Sequence, residues 1–196
     1  IEFIQHDVTE KFSSNKKIDY VIHAAGIASP EYYQKYPLET LDVAINGTKN
    51  MLKLAKENNS KFTFFSSSEI YGNPDSKNIP TKEEYWGNVN PNGERSMYDE
   101  AKRFAEAATA TYARSYNLKT KIIRIFNTYG PNMQLNDGRV VTNLIVQALN
   151  NEDLTIYGDG TQTRSFSYVS DTVAGIIAMM NSRHYEVFNI GNPYEI

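Results

Sequence analysis

The chain has no cysteine. That excludes disulfides and thiolate metal sites, and it makes a reducing, cytoplasmic setting the expectation. Histidine is scarce too: His6, His23 and His184 show no metal-ligand spacing, so no metal site is expected. No apolar run approaches the ~20 residues that cross a bilayer, and no secretory leader pattern opens the chain. Membrane association is therefore not expected. An excess of positive charge is also missing: the formal net charge of −3 argues against a nucleic-acid or polyanion surface. Internal repeats and low-complexity stretches are absent. What remains, over 196 residues, is enough for one α/β domain or part of a larger one. Because it begins in one strand-like run and stops just after another, the chain is expected to be an internal piece of a longer protein.

Four short apolar, β-branched or aromatic runs read as strands: IEFI (1–4), IDYVIHAAG (18–26), KFTFFSSSEIYG (61–72) and TKIIRIFNTYG (120–130). Helical periodicity fills two of the gaps. Leu41, Ala44, Ile45, Thr48, Met51, Leu52 and Ala55 recur at three- and four-residue spacing, and a second helix is expected from Arg95 through Leu118. Strands alternating with helices argue for βαβ units and a parallel sheet. In such sheets reactive groups gather at the carboxyl ends of the strands, where HAAG, SSSEIYG and FNTYG all fall. After Gly130 the pattern changes to helix (140–150), a loop, helix (172–181) and strand (186–191), read as a smaller lobe beside the sheet. The long irregular segment 74–94 is placed to wall or cover a site.

Tyr98 and Lys102 stand four residues apart, hence on one helix face. A fixed cation beside a phenol favours phenolate, so Lys102 is expected to draw the Tyr98 pKa down from near 10 toward working pH. Such a tyrosine can exchange a proton with an alcohol. On this stretch alone, a plain amphipathic helix explains the spacing equally well. Ser66, Ser67, Ser68 and Glu69 emerge at the sheet edge, where hydroxyls can orient a sugar; capping a turn accounts for any one of them. HAAG offers small residues for close approach of a ring or ribose, and a crowded strand end explains that as well.

Taken together, HAAG, SSSEIYG, the Tyr98/Lys102 pair, RIFNTYGPN and YGDGTQTRSFSYVSD are similar, in order and spacing, to the extended short-chain dehydrogenase/reductases that modify nucleotide sugars. EYWGNVNPNGERSMYDEAKR, NMQLNDGRVVTNLIVQAL and QTRSFSYVSD most resemble the UDP-glucuronate decarboxylases among them. The resemblance implies a Rossmann-like, doubly wound parallel sheet whose N-terminal part lies outside these residues. It divides the chain into a partial dinucleotide-binding and catalytic region (1–130) and a partial nucleotide-sugar-binding lobe (131–196).

By the same resemblance, Tyr98 is the catalytic base and Lys102 its partner, Ser67 bonds the sugar C4 oxygen, and Glu69 serves the later steps. NAD is the implied cofactor, with Asp7 and Val8 beside adenine, Ala24, Ala25 and Gly26 lining its path, and Ser66 and Thr128 near the nicotinamide end. Tyr33 is implied near the sugar carboxylate, with Asn127, Arg139 and Arg164 holding the UDP-sugar; a solvated loop arginine is the alternative for Arg139. Arg164 suits a diphosphate or carboxylate clamp, since guanidinium presents a planar fork of donors. A homodimer through the Tyr98 helix is implied too.

One departure is large. The glycine-rich loop G-x-x-G-x-x-G, which supplies backbone N–H groups to the pyrophosphate, does not occur in these 196 residues. Weak NAD binding by this stretch alone is therefore expected. The competing functions are a nucleotide-sugar 4,6-dehydratase or 4-epimerase, and a non-catalytic dinucleotide sensor on the same fold. Ser68 stands where many dehydratases carry Asp, and sensors commonly lose the Tyr/Lys pair retained here.

Overall fold

Strands that alternate with helices must pair in parallel, and the computed structural model, which describes residues 1–135 and 138–196, contains such a sheet. In chain order the strands are β1 (Tyr20–His23), β2 (Lys61–Ser67), β3 (Thr120–Ile125), β4 (Thr128–Tyr129), β5 (Ser167–Tyr168) and β6 (Val187–Ile190). The order β1-β2-β3-β6 forms one parallel sheet, and β4 and β5 pair separately. Register sets His23 opposite Phe64, Phe64 opposite Ile122, and Ser67 opposite Ile125. β6 joins the main sheet although it comes from the residues read as a lobe.

The helices are α1 (Pro30–Lys35), α2 (Pro37–Asp42), α3 (Thr48–Asn58), α4 (Ser96–Tyr116), α5 (Val140–Leu149) and α6 (Val169–Asn181). A π turn, Val43–Gly47, joins α2 to α3, so the expected helix is one continuous run with a wide turn inside it. The wide turn brings Gly47 against residue 8: a Cβ there would lie 2.9 Å from Val8 Cγ2. Asn59 and Asn117 end α3 and α4 in the left-handed conformation, which asparagine tolerates.

The core fills the face between the sheet and α3–α4. Val21, Phe62, Phe64 and Ile122 from the strands meet Leu52, Leu54 and Ala55 of α3 and Ala105 of α4. Burying each large apolar side chain contributes about 1.5–3 kcal/mol. Ala101 and Ala105, small and buried, let α4 lie close on the strands. Alternation along β3 turns Lys121 to the opposite face. There its Nζ donates to the carbonyls of Met179 (2.5 Å) and Ser182 (2.8 Å), docking the end of α6. A cation at helix-terminal carbonyls is the favourable polarity.

Two expectations need correction. Residues 1–4 form no strand: Ile1, Phe3 and Ile4 are exposed, and no described strand lies beside β1 except β2. An apolar run without a neighbour has no ladder to join. The other is α1, not anticipated, although Pro30 at its first position and Glu31 in its first turn are start signals. Among the described residues no helix is long and apolar enough to cross a membrane.

Candidate active site

The carboxyl end of β2 and the first turns of α4 meet over the sheet edge. Ser67 closes β2 and its Oγ accepts the Glu69 N–H at 3.3 Å, starting a short 3-10 turn, Ser68–Tyr71. Tyr98, buried in the first turn of α4, hydrogen-bonds the Ser67 side chain. One turn on, Lys102 Nζ donates to the Phe65 carbonyl at 2.8 Å and so ties α4 to the end of β2. A cavity of about 20 Å³ opens beside this pair, lined by His23, Ala25, Gly26, Phe64, Tyr98 and Lys102 among others. Gly26 faces the ammonium: a Cβ there would sit 3.5 Å from Nζ. Ala25 and Gly26 also border an open cavity of about 790 Å³ with Asp7 and Val8. Asp7 Oδ1 accepts both the backbone N–H and the hydroxyl of Thr9, which hold its carboxyl below the usual range.

The electrostatics correct the sequence reading of the phenol. Burial pushes the Tyr98 pKa up, opposed by the Ser67 hydrogen bond and the positive charge of Arg139, and pushed further by Glu69 and Tyr33. Lys102 is not what lowers it. The ammonium sits 5.8 Å from the Tyr98 ring centroid and spends its hydrogen bond on a backbone carbonyl. Burial instead acts on Lys102 itself, bringing its pKa down to about 8 against the pull of Glu106. His23 is packed, with Nε2 3.0 Å from Thr48 Oγ1 and its ring on Phe64; burial, then Lys102, lowers its pKa to about 4. Among the described residues no three His, Asp or Glu side chains gather to hold a metal ion.

An open cleft of about 1600 Å³ lies beside the start of α4, and Tyr98, Ser67 and Tyr33 are not among the residues that line it. Glu69, Arg95 and Asp99 form its wall next to Tyr98, and Asn127 and Arg164 line it elsewhere. Segment 74–94 supplies another wall through Pro74, Ile79, Pro80, Thr81, Asn88 and Val89. It is strapped to β6, because Glu83 Oε1 accepts the Asn189 N–H at 2.9 Å and Asn189 Nδ2 donates to the Thr81 carbonyl at 2.9 Å. Tyr33 stacks on Tyr98 with ring centroids 5.0 Å apart, and the Arg95 guanidinium lies 6.0 Å from the Tyr33 ring centroid. Arg95 Nη2 is ion-paired with Glu69 and lies 3.8 Å from Asp99 Oδ1.

Tyr98, Lys102, Ser67, Glu69, Tyr33, Ala25 and Gly26 thus gather around one helix start, Asp7 and Val8 lie further out beyond Ala25 and Gly26, and Arg139, the N-cap of α5, is close enough to act on the phenol. Ala24 is exposed at the end of β1. Two residues are turned elsewhere. The Ser66 hydroxyl donates to Glu106 at 2.6 Å within a buried cluster that includes Arg124, and Thr128 bonds the Phe126 carbonyl and Thr172 at 3.0 Å. A cofactor contact by either would use its main chain. Arg95 and Asp99 escaped the sequence reading, although their i, i+4 spacing around Tyr98 is a visible signal.

Comparison with known proteins bears on the family and the fold. A model of the NAD dependent epimerase/dehydratase family matches residues 2–191. UDP-glucuronic acid decarboxylase 1 of Arabidopsis thaliana is 50% identical over 99% of the chain, and its Xenopus tropicalis counterpart 48% over 99%. The chain spans only 44% and 45% of those two proteins. Among solved structures, a UDP-N-acetylglucosamine 4-epimerase from Methanobrevibacter ruminantium superposes with TM-score 0.85 at 31% identity, over 98% of this chain and 62% of that one. A UDP-glucuronic acid 4-epimerase from Bacillus cereus, in complex with NAD, gives 0.81 at 28%, over 99% and 61%. The sheet is accordingly Rossmann-like, and the chain belongs to the NAD dependent epimerase/dehydratase family.

Proposed function

We propose that the protein decarboxylates UDP-glucuronate to UDP-xylose through a 4-keto sugar, with NAD as its cofactor. The observation that carries this reading is the buried Tyr98, hydrogen-bonded to Ser67 and one turn from Lys102, with Glu69, Arg95 and Asp99 standing between it and an open cleft. Relatives near 50% identity that are named as UDP-glucuronic acid decarboxylases support UDP-glucuronate as the substrate.

The residues present fit NAD in part. Ala25 and Gly26 border an open space of about 790 Å³ with Asp7 and Val8, and also reach the Lys102 side through a cavity of about 20 Å³, too small for a ribose or ring; these 196 residues contain no glycine-rich loop for the pyrophosphate. When bound, NAD⁺ would supply a hydride acceptor for C4 and a positive charge that favours phenolate. Tyr98 takes the proton of the C4 hydroxyl while Ser67 holds its oxygen. The resulting ketone lies β to the carboxylate, so the C5–carboxylate bond breaks with its electron pair delocalised into the carbonyl and CO₂ leaves. Tyr98 and Ser67 then stabilise the enolate oxygen by hydrogen bonding, and Glu69 manages the proton delivered to C5. Arg164 and Arg139 hold the UDP-sugar from the lobe side, with Asn127 and Tyr33 beside the sugar. Whether C4 is reduced again decides between UDP-xylose and a 4-keto pentose. A homodimer through the outward face of α4, where Phe104 and Tyr116 are exposed, and a cytoplasmic setting complete the reading.

A second reading, nucleotide-sugar 4-epimerase or 4,6-dehydratase, is favoured by the similarity to solved 4-epimerases. Incubating the full-length protein with NAD⁺ and, separately, UDP-glucuronate or a UDP-hexose, and weighing the products by mass spectrometry, separates the cases. Loss of CO₂ is expected. An isomer of unchanged mass indicates epimerisation, loss of water from a UDP-hexose indicates dehydration, and inertness with NAD bound indicates a sensor.

A further inference from the structure

Arg95 presents one nitrogen, Nη2, to two carboxylates: it is ion-paired with Glu69 Oε2, while Asp99 Oδ1 lies 3.8 Å away, beyond hydrogen-bond reach. Asp99 Oδ1 is shielded from solvent and has no hydrogen-bond partner. A buried acceptor without a donor is costly, and two arrangements relieve it. Either Arg95 turns from Glu69 to Asp99, or a proton occupies the Asp99 carboxyl. Facing Asp99 are Arg95 and Glu100 on its own helix, Glu69 on the turn after β2, and Tyr33 on α1. Burial, with Glu69 and Glu100, outweighs Arg95 and brings the Asp99 pKa up to about 6.

We propose that Asp99 is a positioning residue that sets how tightly Arg95 holds Glu69, and thereby frees Glu69 for proton transfer at the sugar. Ionised Asp99 competes for Nη2 and loosens Glu69. Neutral Asp99 makes no such claim, and Glu69 stays pinned by the guanidinium, unable to turn toward a substrate in the cleft. One cation serving two carboxylates is a two-state element whose balance is a single proton. This inference rests on the proposed role of Glu69.

The test uses the full-length protein and two readouts. In wild type, kcat/KM for UDP-glucuronate falls on the acid side of about pH 6 while Glu69 is pinned. Asp99→Asn fixes the neutral state: its profile loses that limb and its rate drops up to about 100-fold, the scale of a misplaced reacting group. Asp99→Glu restores the limb. Independently of turnover, the ¹⁵N resonance of the Arg95 side chain shifts with an inflection near pH 6 in wild type and not in Asp99→Asn. An Arg95 resonance that titrates as expected in a protein inert to UDP-glucuronate sinks the substrate assignment and leaves the Arg95 exchange standing. An unmoved rate profile in Asp99→Asn, or a flat Arg95 resonance in wild type, overturns the proposal. Should Asp99→Asn fail to fold, the wild-type resonance decides alone.

Discussion

The residues up to Gly130 and those after it bury their apolar side chains very differently. Leu52, Ala55, Phe62 and Ile123 are fully enclosed between the strands and α3–α4 or beneath α6. After Gly130, Met179 is the one buried hydrophobic residue among those described, while Val140, Ile145, Leu149, Leu154, Ile156 and Tyr157 are exposed. The first region fixes atoms by packing, and there the groups proposed to transfer protons sit, on a strand end and a helix start. The second contributes its arginines from the cap of α5 and from a loop. Arg164 is held there by reciprocal backbone hydrogen bonds with Ile196, at 2.9 and 3.0 Å. Chemistry on the rigid part and binding on the looser part is the division this contrast suggests, and substitutions on each side test it.

The largest effect belongs to the phenol. Tyr98→Phe removes the oxygen proposed to exchange a proton, so turnover of UDP-glucuronate by the full-length protein should fall by roughly 10²–10⁴ with KM little changed. A variant retaining wild-type kcat would move the chemistry elsewhere. Next comes packing. Phe62→Ala should destabilise by about 3–5 kcal/mol, because the sheet and α3 cannot close over the lost ring. Leu149→Ala, at the exposed end of α5, should lie within about 0.5 kcal/mol of wild type. Urea unfolding of the 196-residue chain measures both, and equal losses would erase the contrast. Arg164→Ala should act on binding: losing a charge-assisted hydrogen bond is worth about 1.5–3 kcal/mol, so KM for the UDP-sugar rises by roughly ten- to a hundredfold. If kcat rather than KM carries the loss, Arg164 belongs with the chemistry.

Much of the first region was legible because its signals are local. Apolar β-branched runs gave β2 and β3, three- and four-residue spacing gave the α2–α3 run, and small or hydroxyl residues marked where strands end. Run composition failed at residues 1–4, since a strand also needs a neighbour and composition carries no information about one. The Tyr98/Lys102 pair was visible as spacing, but its electrostatics were not. Spacing cannot tell that Lys102 reaches the Phe65 carbonyl, or that burial dominates both groups. Ser66 shows the same limit. Its neighbour Ser67 bonds Tyr98, while its own hydroxyl is taken up by Glu106, about two turns further along the same helix α4. Arg95 and Asp99 were missed because their meaning depends on Glu69, 26 residues before Arg95 in the chain.

The smallest effect probes two groups of the rigid region whose pH dependences oppose each other. His23 is neutral and enclosed, with a pKa of about 4 against 6.5 when free. The unfolded chain therefore binds a proton between these values that the folded one refuses. His23 contributes its full stability above about pH 6.5 and loses it as pH falls through 4, a change of roughly 2–3 kcal/mol. Asp99 has the reverse sign. Its folded pKa of about 6 exceeds the free 3.8, so its contribution is complete below 3.8 and lost as pH rises through 6. Over the same window one group weakens the fold on acidification while the other strengthens it. The wild-type melting temperature should thus change only gently between pH 6.5 and 4. Asp99→Asn, neutral throughout, should leave the His23 loss uncompensated and steepen the decline, and His23→Gln should flatten it. Carboxylates held low, such as Asp7, act alike in all three proteins and cancel in the comparison. Parallel curves for wild type and Asp99→Asn would mean that the cleft side of α4 exchanges no proton in this range, leaving the enclosed His23 as the titrating group of the pair.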